Sequence, residues 1–270
     1  MFKHVLAAVD FSSAWPNLKA RLEMLHQLGT QRVTLVHVLA MGYPIAPAET
    51  HREHYEAKLG QLASEFTAAG MKVDSRVLTG EPGYELTQAA IELRAGLILA
   101  GMRGYSVVHD FFLGSTALNI ARLTEIPLWL EPVNKAPETR QLETILLATD
   151  ASAAAAHAED LFIAFAKKAT SAIALQVISE REQEAQARDA QQHLETLTHR
   201  AANIDVRMQA GDPATLITET ADNANADVIV VGKRGQSALR GLLLGSTAET
   251  VARRSDRPVL IVPAAEQVAT

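Results

Sequence analysis

Val228-Ile-Val-Val-Gly-Lys-Arg-Gly235, then nine residues, then Gly245-Ser-Thr-Ala248, is the stretch that decides the fold. A short apolar run ends on a glycine pair, and a later glycine opens a segment rich in hydroxyl groups. The same arrangement stands 131 positions earlier, as Leu97-Ile-Leu-Ala-Gly-Met-Arg-Gly104, nine residues, and Gly114-Ser-Thr-Ala117. Strand, glycine loop and helix N-terminus together make a phosphate cradle. Gly101 and Gly232 fall just past strand ends, where glycine allows positive φ and lets an anion approach the backbone. The first N–H groups of the following helix have no partners inside it, and the helix dipole favours negative charge there. Ser115, Thr116, Ser246 and Thr247 add hydroxyl donors. The spacing is neither the Gly-x4-Gly-Lys-Ser/Thr of P-loops nor the dinucleotide Gly-x-Gly-x-x-Gly. One copy alone could be turn and cap glycines; two copies in one context point to a tandem nucleotide-binding chain.

Working outward, Gly80-Glu-Pro82 recurs as Gly211-Asp-Pro213, again at 131 positions, while Val5–Ser12 matches Ile145–Ser152 at 140. The first half therefore holds about nine extra residues, placed near 41–50 where Gly42, Pro44 and Pro47 mark a loop. In the first half the patterning predicts strands Lys3–Val9, Val33–Leu39, Lys72–Leu78, Leu97–Ala100 and Pro127–Leu130. Helices are expected over Pro16–Leu28, Glu49–Ala69, Gly83–Ala95 and Ser115–Leu123. The second half repeats the order, with strands near 144–148, 172–178, 204–209, 227–231 and 258–262. Strands alternating with helices imply parallel βαβ units, and unbroken apolar strands suit a sheet covered on both faces. The expected organisation is a first domain over 1–133, a linker at 134–142 containing Pro137, and a second domain over 143–270.

Composition sets the outer limits. The chain has 270 residues, 48% of them apolar and 21% charged, and a net charge of −6. That balance is ordinary for a globular protein and argues against non-specific nucleic-acid binding, which needs a basic footprint. No cysteine is present, which removes disulfides, thiolate metal sites and cysteine nucleophiles and fits a cytoplasmic location. The opening residues run straight into a strand pattern without a signal segment. No apolar run approaches the roughly 18 residues of a membrane span.

Asp10 and Asp150 end the first strand of each half. Two readings stand for them: acceptor for a ribose hydroxyl, or N-cap of the next helix, a role Ser12 and Ser152 could also fill. Lys233, Arg234 and Arg240 make the second loop basic. The first carries Arg103 beside His109 and Asp110, with Phe111-Phe112 where the second has Gly241-Leu-Leu. Charge therefore favours the second half as the better phosphate site, unless those cations only solvate a loop. His51-x-x-His54 lacks further ligands, so no metal site is expected. His37 reads as a satisfied polar residue, Trp15 and Trp129 as buried surface, and Glu180–Gln192 as a solvated helix face.

Taken together, Gly-x2-Gly-x9-Gly-Ser, an opening strand ending in Asp-x-Ser and a closing strand after proline resemble the universal stress protein family in tandem form. The likeness covers nearly the whole chain. It implies two Rossmann-like α/β domains, each a five-stranded parallel sheet of order 3-2-1-4-5 flanked by helices. It implies ATP on the glycine motif (Gly101, Arg103, Gly104, Gly114, Ser115 and Thr116; Gly232, Lys233, Arg234, Gly235, Gly245, Ser246 and Thr247), with Mg²⁺ on the phosphates. Asp10 and Asp150 would approach the ribose, and the backbone at Val38 and Val177 would read the adenine. Val9 and Thr149 would line the pockets. It also implies that Pro127–Leu130 pairs with Pro258–Val262 within one polypeptide, and it is compatible with a homodimer of tandems.

No catalytic residue stands out: no side chain presents itself as a general base for the γ-phosphate, and no Gly-x-Ser-x-Gly elbow occurs. The expected function is a nucleotide-dependent stress or regulatory protein with at most slow ATP hydrolysis. Two alternatives remain. One is an interaction scaffold with one or both pockets degenerate. The other is an ATP-using enzyme on a related fold, whose usual Ser-Gly-Gly-x-Asp-Ser or His-x-Gly-His elements are missing here; an electron-transfer flavoprotein relative is its weaker variant.

Overall fold

The computed structural model describes residues 1–40, 48–68, 70–103, 113–133, 141–178, 184–235 and 244–265. The chain divides into two compact units, Met1–Arg140 and Gln141–Thr270. The expected loop at Gly42, Pro44 and Pro47, linker Pro137, Gly104, His109–Phe112 and Arg240–Leu243 lie outside the described residues, as do 180–183.

The first unit runs β1 (His4–Ala8), α1 (Trp15–Gln27), β2 (Arg32–Ala40), α2 (Ala48–Ala68), β3 (Lys72–Gly80), α3 (Pro82–Glu92), β4 (Leu97–Gly101), α4 (Ser115–Leu123) and β5 (Leu128–Glu131). The second runs β6 (Thr144–Ala148), α5 (Ala156–Ala166), β7 (Ser171–Ile178), α6 (Glu184–Thr198), β8 (Ile204–Ala210), α7 (Pro213–Asn223), β9 (Val228–Gly232), α8 (Ser246–Arg254) and β10 (Val259–Val262). Within each unit the strands form a parallel sheet, ordered β3-β2-β1-β4-β5 and β8-β7-β6-β9-β10. This is the α/β architecture and the 3-2-1-4-5 order that the resemblance implies.

Central strands are buried on both faces, which their unbroken apolar runs require. Val5 and Leu6, Leu97 to Leu99 and Val228 to Val230 are fully buried. Register sets Val5 beside Val33 and Leu97, and Ile145 beside Ala172 and Val228. The outer strand β3 differs: Lys72, Asp74 and Arg76 are outward and only Val77 is buried. Charges of this kind keep an outer strand from pairing with another chain. Among the described residues no helix is long and apolar enough to cross a membrane.

The repeated Gly-acid-Pro triplets prove to be helix starts. Gly80 (φ 152°) and Gly211 (φ 147°) occupy backbone space that favours glycine. Glu81 and Asp212 cap α3 and α7, and Pro82 and Pro213 take the first helical position, where no N–H is needed. Burial pushes the Glu81 carboxyl up, but hydrogen bonds from the Tyr84 and Gly83 N–H groups and the Asn119 amide outweigh it and leave it lowered. Asp212 is lowered by the Thr215 hydroxyl and N–H. A carboxylate depressed in the folded state adds stability that is present above its unfolded pKa and lost as pH falls through its folded value. Stability should therefore decline as pH drops below the ordinary carboxylate values of 4.5 and 3.8. Melting curves of Glu81→Gln and Asp212→Asn should show a shallower decline; an unchanged acid limb would refute the assignment.

Helix ends are the main departure from the sequence reading. The third helix stops at Glu92 rather than Ala95, because Arg94 turns left-handed (φ 50°) and Ala95 N–H returns to Ala90 O at 2.9 Å. Asn225 (φ 49°) plays that part after α7. Such stops are usually glycine.

Candidate nucleotide site

Each unit has an open cleft at the carboxyl ends of its strands, about 770 Å³ in the first and 690 Å³ in the second, counting the open mouth. Carboxyl ends are where ligands of open α/β sheets gather. In the second unit Thr149 and Asp150 enter from β6, Val177 from β7, Gly232, Arg234 and Gly235 from the loop after β9, and Gly245, Ser246 and Thr247 from the start of α8. In the first unit the equivalent walls are Val9 and Asp10, Val38, Gly101 and Arg103, and Gly114, Ser115 and Thr116. Both clefts also take a proline and an apolar side chain from the capped helices: Pro82 and Leu86, Pro213 and Ile217. These four were missed from sequence, although the recurring triplets that contain the prolines carried a signal.

One backbone bond closes each glycine loop. Gly114 N–H donates to Met102 O, and Gly245 N–H to Lys233 O, both at 2.8 Å. Met102 and Lys233 in turn donate to Glu131 O and Val262 O at 2.7 Å, so the loop base is an extension of the sheet. The long spacer thus leaves and returns at one point, and α4 and α8 start there. Gly114 and Gly245 are their N-caps and supply no side-chain cap, so the first-turn N–H groups open onto the cleft.

The structure corrects two expectations. First, none of Gly101, Gly232, Gly235 and Gly245 is among the positive-φ residues. They are glycine because space is short: an added Cβ would stand 3.0 Å from Arg234 O at Gly232, 3.2 Å from Lys233 O at Gly245 and 2.2 Å from Asp150 Oδ2 at Gly235. Positive φ falls instead on Phe11 (59°) and Ala151 (58°), directly after the strand-end aspartates. Second, Lys233 does not line the cleft. It is buried, 1% exposed, although the equivalent Met102 does border the first cleft. The described wall of each cleft then carries one guanidinium, Arg103 or Arg234. What remains of the charge difference between the loops lies in undescribed residues.

The two aspartates do not cap helices. Asp10 Oδ1 accepts from Ser12 N–H at 2.9 Å and Asp150 Oδ1 from Ser152 N–H at 3.0 Å, closing a tight turn. Helices α1 and α5 begin at other residues, with Ala14 and Ala155 as N-caps. In the second unit this turn lays Oδ2 over Gly235, facing the space between loop and strand ends.

His37 Nδ1–H donates to Val9 O (2.6 Å), as a satisfied polar residue should, and burial lowers its pKa. It also lines the first cleft. Its ring packs on Tyr55 (4.2 Å) and Phe11 (5.1 Å), with the Lys58 ammonium 5.3 Å from the Phe11 ring centre. His54 packs edge-on against Tyr55. Among the described residues no three His, Asp or Glu side chains converge as a metal site.

Comparison with known proteins bears on the family and the fold. The family model of the universal stress protein family matches residues 1–131 and again 141–263. The stress response protein NhaX of Bacillus subtilis is 44% identical over 66 residues, 24% of this chain and 40% of that protein. A universal stress protein of Thermus aquaticus is 27% identical over 135 residues, 48% of this chain and 98% of that protein. Most of the first relatives are thus matched over less than half of their length. A crystal structure of a universal stress protein from Archaeoglobus fulgidus superposes with a TM-score of 0.80 over 97% of both chains at 23% identity, a likeness of fold. With the family model matched in both halves, the chain belongs to the universal stress protein family, in tandem form.

Proposed function

We propose that the clefts bind adenine nucleotide, with the phosphates of ATP on the first turns of α4 and α8, and that the protein is a nucleotide-dependent stress or regulatory protein. The observation that carries this reading is the loop clamp: one backbone bond brings an uncapped helix start, two hydroxyl residues and a guanidinium to the same strand end. That set suits phosphate oxygens. Asp10 and Asp150 lie where a ribose would rest, and the backbone at Val38 and Val177 borders the space left for the base. Mg²⁺ would arrive on the phosphates, since it commonly keeps most ligands as water and phosphate oxygen. Any hydrolysis would be slow without a base aimed at the γ-phosphate. ATP would act by favouring one conformation or partner surface.

Calorimetric titration with ATP, with and without Mg²⁺, tests the reading. Saturable binding below about 1 mM is expected, near −4 kcal/mol or stronger. Absence of binding at millimolar ATP would end it.

A further inference from the structure

In both units a non-glycine residue must be held left-handed directly after the aspartate, and the two units hold it differently. In the first, Phe11 is packed against both His37 and Tyr55, with the Lys58 ammonium over its ring. The second has only Ala151 there, with no ring to grip. Instead Ala151 N–H donates to Thr149 Oγ1 at 3.1 Å, the Thr149 hydroxyl donates to Glu159 Oε1 at 2.6 Å, and His193 Nε2 meets the same oxygen at 2.8 Å. Thr149 and Glu159 are 7% and 5% exposed. We propose that Glu159 is a positioning residue of the second cleft, acting through Thr149 to hold the turn that aims Asp150. The proposal rests on the nucleotide reading above.

A threonine hydroxyl has one hydrogen. Once that hydrogen is given to Glu159, the oxygen can only accept, and the N–H it faces is Ala151's. Removing the carboxylate frees the hydroxyl to rotate and donate elsewhere, and the left-handed residue loses its tie. Asp150 is the residue between the two bonded positions, and its Oδ2 has little slack, because it overlies Gly235. The first unit supplies the contrast. By the matching burial patterns of α1 and α5, Leu18 stands where Glu159 does, and Val9 where Thr149 does; both are buried and apolar. The second unit therefore links helix α6, through His193, to the ribose side of its own cleft by three hydrogen bonds that the first unit's apolar pair cannot make.

Thr149→Val and Glu159→Leu install the first unit's own residues, which keeps the variants foldable. Titrations would use ATP and 2′,3′-dideoxy-ATP in a chain whose first cleft is blocked by Ser115→Asp. Exchange of the Ala151 amide would be followed by NMR without nucleotide. The parent should favour ATP over the dideoxy analogue about tenfold. Both variants should lose most of that preference and speed Ala151 exchange about tenfold, and Glu159→Leu, which is not part of the cleft wall, should leave the analogue's affinity within about threefold. Thr149→Ser should behave like the parent. A parent that binds ATP, with variants that keep the ribose preference, would overturn the positioning role and leave the nucleotide reading standing. Unaltered Ala151 exchange would overturn the role by itself. A parent silent towards both ligands would remove both claims.

Discussion

Ser115→Asp together with Ser246→Asp should abolish the proposed ATP binding while the fold and melting temperature hold. Either substitution alone should remove one of the two proposed sites. The reasoning separates what a helix wants from what a phosphate wants. An acidic side chain in the first helical turn interacts favourably with the dipole and is a common first-turn residue. Neither serine makes a side-chain cap that the change would remove, since the N-caps are Gly114 and Gly245. The same carboxylate would stand about 4 Å from a bound phosphate, where like charges repel by about 4 kcal/mol at an effective dielectric near 20. Solvent at the open mouth discounts that figure. A loss of at least about 100-fold per site, near 2.7 kcal/mol, is still expected. Stoichiometry by calorimetry reads it directly. Unchanged affinity in both single variants would place the phosphates elsewhere, and a fall in melting temperature would mean that the serines serve the fold.

Much of this cleft was legible in the sequence because its parts are local. Gly232 to Gly245 is one loop, and strand, bend and helix start follow each other in order. Duplication then repeated the pattern in an independent context. The parallel sheet followed from alternating elements, but its strand order came from family likeness and not from residue pattern. What stayed hidden depends on contacts distant in sequence. Lys233 looked like a phosphate ligand because nothing local reveals that it is buried away from the cleft wall. Arg94 and Asn225 end helices without the glycine that would announce a left-handed stop. Phe11 and Ala151 carry the same unusual φ with no shared residue type, since one is held by rings on β2 and α2 and the other by a carboxylate on α5. Thr149 and Glu159 each look unremarkable until α5 folds back over β6.

A second large effect concerns stability alone. Glu131→Ala should destabilise the first unit by about 3–5 kcal/mol, the cost of leaving a buried charge without its partner. Arg21 and Glu131 are 5% and 2% exposed. The Arg21 guanidinium bonds Glu131 Oε1, lies 4.8 Å over the Trp129 ring and donates to Met24 Sδ, while Trp129 Nε1–H donates to that same Glu131 oxygen at 2.7 Å. Burial pushes the Glu131 carboxyl up, with Arg21 and Trp129 pulling it back. The second unit builds the corresponding place without charge: Phe162, Val262 and Leu260 are all fully buried there. The ion pair is therefore not demanded by the fold, and a buried pair often contributes little net stability over an apolar replacement. Arg21→Met with Glu131→Gln, which keeps an acceptor for the Trp129 N–H, should recover most of the loss. For a unit of this size the single variant should lower the melting temperature by about 10 °C or more. The informative quantity is the coupling between the two changes. A double variant as unstable as the sum of Arg21→Met and Glu131→Gln measured singly would show that Arg21 and Glu131 act separately, as a packing group and an acceptor, and that the charge of each is met by something other than its neighbour.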